Sequence, residues 1–158
     1  MKKLTVLSLT GWALLALLNS LSAQAAPASN AALVTIQEAW ARPSHPGSTV
    51  GAAYMTLTSS KDASLVDVKA DVSDSVEIHS MSMENGVMKM RMLDSLDLSA
   101  GKPYQLSPGG FHLMLFDLKK PLRVGDSVNF VLSFKLANKT VIKQNAKATV
   151  KDAPAASH

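Results

Sequence analysis

Asn85-Gly86 is the pair of residues that most restricts how this chain can fold. Both tolerate positive φ, and a two-residue type I′ turn requires it at both central positions. On either side lie alternating segments, Ser75 to Met83 and Val87 to Leu93, which read as the two strands of a hairpin. A two-residue turn then dictates the pairing. Glu84 faces Val87, Met83 faces Met88, Ser82 faces Lys89, Met81 faces Met90, Ser80 faces Arg91 and His79 faces Met92. Side chains alternate along a strand, so His79, Met81, Met83, Met88, Met90 and Met92 share one face. The other face takes Ser80, Ser82, Glu84, Lys89 and Arg91, with Val87 its one apolar member.

The rest of the chain repeats this pattern of short alternating runs between turn signals. Val34 to Ala41 is expected to be a strand anchored by Val34, Ile36 and Trp40. The Pro/Gly-rich segment from Arg42 to Ser48 is a loop, and His45 within it is read as solvated. Further strands are expected at Val50 to Leu57, Ala63 to Ala70, Phe111 to Leu118, Ser127 to Leu136 and Thr140 to Val150, with a brief pairing at Tyr104 to Leu106. About eight or nine strands with no helical period indicate an all-β antiparallel sandwich rather than a parallel sheet.

Residues 1–25 have the composition of a cleaved signal peptide. Lys2 and Lys3 precede an apolar run from Leu4 to Leu18, and Ala23-Gln24-Ala25 supplies the small-x-small cleavage pattern. That run is short for a membrane span, so no stable insertion is expected after cleavage. A single β-domain over residues 26–150 comes next, then a flexible tail over residues 151–158. The formal charge is +4, of which Lys2 and Lys3 contribute two. The remaining cations are scattered without interleaved aromatics, and no nucleic-acid partner is expected.

The chain has no cysteine. Disulfides, zinc-thiolate sites, a thiol nucleophile, a lipidated cysteine and a blue-copper centre are therefore all excluded. What it has instead is methionine. Of eight methionines, six fall in the stretch from His79 to Met114, together with two of the four histidines. Thioether beside imidazole is a soft ligand set suited to Cu(I). On the hairpin face His79 and Met90 are diagonal neighbours with Cβ atoms about 7 Å apart, within reach of one ion. His112 and Met114 are two apart on a later strand and point the same way. If that strand end lies against the hairpin, two imidazoles and two thioethers converge. Methionine is equally a flexible core filler, and pattern alone leaves metal binding and packing both open.

The spacing His79-x10-Met90-x21-His112-x-Met114 resembles the signature of the periplasmic Cu(A) chaperone family, PCu(A)C. The segments Glu38 to Arg42, Gly51 to Leu57, Val76 to His79, Gly86 to Arg91 and Pro108 to Met114 are also similar to family segments. The resemblance covers nearly all of residues 34–150. It implies a cupredoxin-like β-sandwich or barrel of Greek-key type that binds Cu(I) through His79, Met90, His112 and Met114. It also implies a periplasmic protein that delivers copper toward the Cu(A) centre of cytochrome c oxidase, sometimes with a Sco-type thiol protein. A monomer is expected. Met81, Met83, Met88 and Met92 receive no role by the match. Their default reading is apolar packing around the site, and the alternative is a shell that limits water or lends transient ligands. The tail offers only His158, too little for a second, Cu(II) site.

Two other classes of function compete. An exported immunoglobulin-like binding module would use the methionine face as a dry protein interface. An enzyme is not expected, because the chain has no Gly-x-Ser-x-Gly elbow, no Gly-rich phosphate loop and no paired acids in a recognisable motif.

Overall fold

The computed structural model describes residues 32–153, and the expected signal peptide and most of the tail lie outside the described residues. Ten strands succeed one another: β1 (Val34–Ala41), β2 (Gly51–Ser59), β3 (Ala63–Ala70), β4 (Ser73–Glu84), β5 (Val87–Leu93), β6 (Leu96–Leu98), β7 (Pro103–Leu106), β8 (His112–Leu118), β9 (Ser127–Leu136) and β10 (Val141–Val150). Hydrogen bonding orders them β5-β4-β8-β2-β1-β10-β9-β3-β6, with β7 on β2. Neighbours in space are thus often distant in sequence, as in a Greek key. The fold is the all-β, cupredoxin-like architecture expected from the sequence.

One core holds the strands together. Leu113 and Leu115 of β8, Met55 and Leu57 of β2, and Val128, Phe130, Leu132 and Phe134 of β9 are buried in a single cluster. Each is separated from the next on its strand by one residue, so strict alternation sends every other side chain inward. Without a disulfide, this burial is the main term opposing chain entropy.

Three features depart from the pattern read in the sequence. β6 is only three residues long, too short for alternation to show, yet Leu96 and Leu98 are buried against β3. β1 and β10 pair in parallel, through Trp40 beside Thr149 and Ala41 beside Val150, within an otherwise antiparallel sheet. Finally, a β-bulge lies between Gln37 and Trp40, where Glu38 takes a φ of 52°. A bulge inserts an unpaired residue and reverses the facing of the residues after it. Val34 joins the core, whereas Trp40 is turned to the outer face, against the Tyr54 ring at 4.4 Å between centroids.

Candidate metal centre

The outer face of β4, β8 and β2 carries the chemistry. Ile78, Leu113 and Ala53 point into the core, so their neighbours His79, His112, Ala52 and Tyr54 point away from it. The hairpin register is the one deduced from its turn, from Ile78 opposite Leu93 to Glu84 opposite Val87. Asn85 and Gly86 both have positive φ, 53° and 78°, as the type I′ turn demands. On its other side β4 pairs with β8, which sets His79 directly across from His112 and Glu77 across from Met114. The strand end expected to lie against the hairpin does so.

The two imidazoles are buried with ring centroids 5.7 Å apart, and Phe116 stands 6.2 Å from His79. Their hydrogen bonds define which nitrogens remain for a ligand. His112 Nδ1 lies 3.0 Å from the Gly110 carbonyl oxygen, which can only accept. Nδ1 therefore carries the proton, and Nε2 keeps its lone pair in the neutral ring. His79 Nε2 lies 2.8 Å from Glu77 Oε2 and donates to that carboxylate. His79 Nδ1 is then an acceptor, and it is buried with no hydrogen-bond partner. Such an orphan costs about 1–3 kcal/mol unless something fills its lone pair. A carboxylate on one ring nitrogen and an open lone pair on the other is how metal-ligating histidines are commonly held.

Beside the imidazoles lies an open cleft of about 340 Å³, lined by His112 and Met114 of β8, Met81 of β4 and Met88 and Met90 of β5, with Arg42, Ala52 and Tyr54 opposite. Met90 is a diagonal neighbour of His79, two rungs beyond the His79–Met92 pair. Three of the four residues singled out by spacing, His112, Met114 and Met90, thus line one cleft, and His79 adjoins it through His112 without lining it. Among the described residues no group of three His, Cys, Asp or Glu could hold a metal. Beside His112 the cleft offers thioether sulfur, which favours a soft cation.

Arg42, Tyr54, Glu77 and Trp40 had no role in the site read from the sequence. Arg42 stacks 5.9 Å over the Tyr54 ring, and burial raises the Tyr54 hydroxyl above its usual range, against an opposing pull from Arg42. Glu77 could have been found, because it lies two residues before His79 and so shares its face. Trp40 and Arg42 could not, because the bulge hides their facing. Of the methionines without an assigned role, Met81 and Met88 line the cleft, as packing around the site expects. Met83, Met88 and Met92 are 63%, 48% and 59% exposed, so they fill no core. They sit on the edge strand and its turn, where no third strand covers them.

Comparison with known proteins places this arrangement. The family profile described as "Putative lipoprotein LpqE-like" matches residues 34–146. A protein of Leifsonia xyli subsp. xyli, "Putative lipoprotein Lxx21020", is 31% identical over 109 residues, which cover 68% of this chain and 66% of that protein. The chain therefore aligns with just under two thirds of that relative's length. Among solved structures, the solution structure of Cu(I)-DR1885 from Deinococcus radiodurans is 30% identical, with a TM-score of 0.59 over 82% of this chain and 85% of that one. The copper-bound PCuAC domain from PmoF2 has the same fold, at 24% identity and a TM-score of 0.59 over 77% of this chain and 94% of that domain. On the extent of the profile match and the shared architecture, the chain belongs to the LpqE-like family of PCu(A)C proteins.

Proposed function

We propose that this protein is an exported Cu(I) carrier that holds the ion with His79, His112, Met90 and Met114. The observation that carries the reading is the buried His79–His112 pair: His79 Nδ1 has no hydrogen-bond partner, and His112 lines a cleft with the thioethers of Met90 and Met114. Two neutral imidazoles and two thioethers suit the filled d shell of Cu(I) in a tetrahedral arrangement. No thiolate is present, so the metal is held without a formal anionic ligand and can be surrendered to a site that has one. A protein interface of the immunoglobulin-like kind gives no reason to bury a histidine nitrogen without a partner.

Exposure sets the order of release. Met90 is 49% exposed on the edge strand, whereas the two histidines are buried, so an incoming thiolate would displace Met90 first. Family resemblance names the acceptor as the Cu(A) centre of cytochrome c oxidase, reached directly or through a Sco-type thiol protein in the periplasm. Nothing in this cycle is turnover, and the protein acts as a carrier rather than an enzyme.

The test is an anaerobic Cu(I) competition titration of wild type, Met90→Leu and His112→Ala. The His112→Ala change is expected to lower affinity by more than about 100-fold, and Met90→Leu by about tenfold, with both variants folded. Affinity indifferent to both substitutions would sink the carrier reading and return the methionine face to a protein interface.

A further inference from the structure

The β4–β5 hairpin runs past its last neighbour. β8 pairs with β4 only as far as His79, and the Met81 amide on the Gly110 carbonyl, at 3.1 Å, extends that ladder. Beyond it, among the described residues, β4 and β5 pair only with each other. Two alternate rungs here, on the same face, are methionine on both strands, Met81 opposite Met90 and Met83 opposite Met88, with Ser82 opposite Lys89 between them. Their spacing from the turn matters. A two-residue turn closes on a hydrogen-bonded rung, here Glu84 with Val87, and rungs then alternate. Both methionine rungs are therefore the narrow, non-hydrogen-bonded kind, with Cα atoms about 4.5 Å apart and side chains at their closest. The next rung on the same face is about 7 Å away, within reach of an unbranched thioether.

Packing does not explain these side chains. Burying a methylene is worth about 0.8 kcal/mol, and the exposed methionines forgo much of that gain. Nor does the hairpin lack polar residues, but beyond His79 they are confined to the opposite face. There Glu84 binds Lys89 at 2.9 Å and Arg91 at 2.7 Å. The hydrogen bond from Lys89 is the main cause that holds the Glu84 carboxyl below its usual range. Those charges brace the hairpin from behind and leave the methionine rungs with no carboxylate of their own. The result is a local set of thioethers free of hard donors, which favours Cu(I) over divalent cations.

We propose a second Cu(I) site at the hairpin tip, formed by Met83 and Met88 across one rung with Met81 from the next. It rests on the copper reading above for the identity of the metal, but on different residues. Three thioethers without imidazole hold Cu(I) more weakly than the inner site. Met81 and Met88 also line the cleft that contains Met90, His112 and Met114, so an ion at the tip can pass to the inner site by successive ligand exchange. The transfer replaces the tip's thioether lone pairs with the imidazole and thioether lone pairs of the inner site. Copper stays Cu(I), and no proton is released because thioethers carry none. The tip thus collects copper at low affinity and feeds the pair of histidines behind it.

The experiment is an anaerobic Cu(I) titration against a competing chelator, monitored by the methyl carbon resonances of the methionines. Wild type is expected to take one tight equivalent and a second at least about tenfold weaker, with Met83 and Met88 methyls shifting only with the second. The double variant Met83→Leu/Met88→Leu, conservative in volume and at exposed positions, loses the weak equivalent and still takes a tight one, since neither residue is among the four inner ligands. His112→Ala loses the tight equivalent and keeps the Met83 and Met88 shifts. A wild type that takes only the equivalent lost in His112→Ala overturns the tip site alone. A second equivalent that survives in the double variant overturns it too. Loss of the only equivalent in the double variant would instead overturn the inner site and leave the tip standing.

Discussion

Glu77 is not one of the four proposed ligands of the inner site, but it touches one of them, His79, at 2.8 Å. Its carboxylate takes the Nε2 proton of His79 in a hydrogen bond and so leaves Nδ1 as the open nitrogen. Replacing Glu77 by Ala frees the ring to turn or to move its proton to the other nitrogen. Partners of this kind are worth about 10–100-fold in metal affinity, and that loss is expected for Glu77→Ala. Gln can still accept from Nε2–H through its amide oxygen, so Glu77→Gln is expected to retain most of the affinity. Paired Cu(I) titrations, with nitrogen-15 shifts of the His79 ring, check both. An Ala variant with unchanged tautomer and affinity would reduce Glu77 to a surface carboxylate. The carboxylate side chain is 38% exposed, so the substitution should cost little stability.

At the scale of elements the hairpin is the part most fully readable from sequence, because one turn type dictates every pair behind it. The register, the shared face of His79 and Met90, and the positive φ of Asn85 and Gly86 all derive from two residues. The approach of β8 to that hairpin did not. It depends on the long-range sheet order, to which local alternation is blind. For the same reason the facing of Trp40 was missed. A bulge at Glu38 leaves no composition signal, and one extra residue inverts the facing of the rest of its strand. Since the hairpin depends on its turn, Gly86→Val is expected to cost about 1–3 kcal/mol of local stability. Amide exchange along β5 should rise more than in β9, and Cu(I) affinity should fall as Met90 loses its fixed rung. Unchanged exchange in β5 would show that the turn does not hold the hairpin.

For the molecule as a whole, stability and metal binding are separable because they occupy opposite faces of the same strands. Ile78 and His79, or Leu113 and His112, are adjacent in sequence, yet one of each pair belongs to the core and the other to the site. The core was legible as alternation in β2, β8 and β9, while β6 and the parallel β1–β10 pair were set by closure of the sheet. Phe130 is fully buried in that core on a strand far from the site. Phe130→Ala should cost about 3–5 kcal/mol in denaturant unfolding and leave the Cu(I) affinity of the folded protein unchanged. Coupled losses of stability and affinity would contradict that separation.

The most direct test of the four-ligand site is copper K-edge X-ray absorption on protein loaded anaerobically with one equivalent of Cu(I). The account predicts a first shell of two nitrogen and two sulfur scatterers, with one sulfur lost in Met90→Leu and one in Met114→Leu. A shell of sulfur alone, a shell without sulfur, or a spectrum unmoved by either substitution would contradict it.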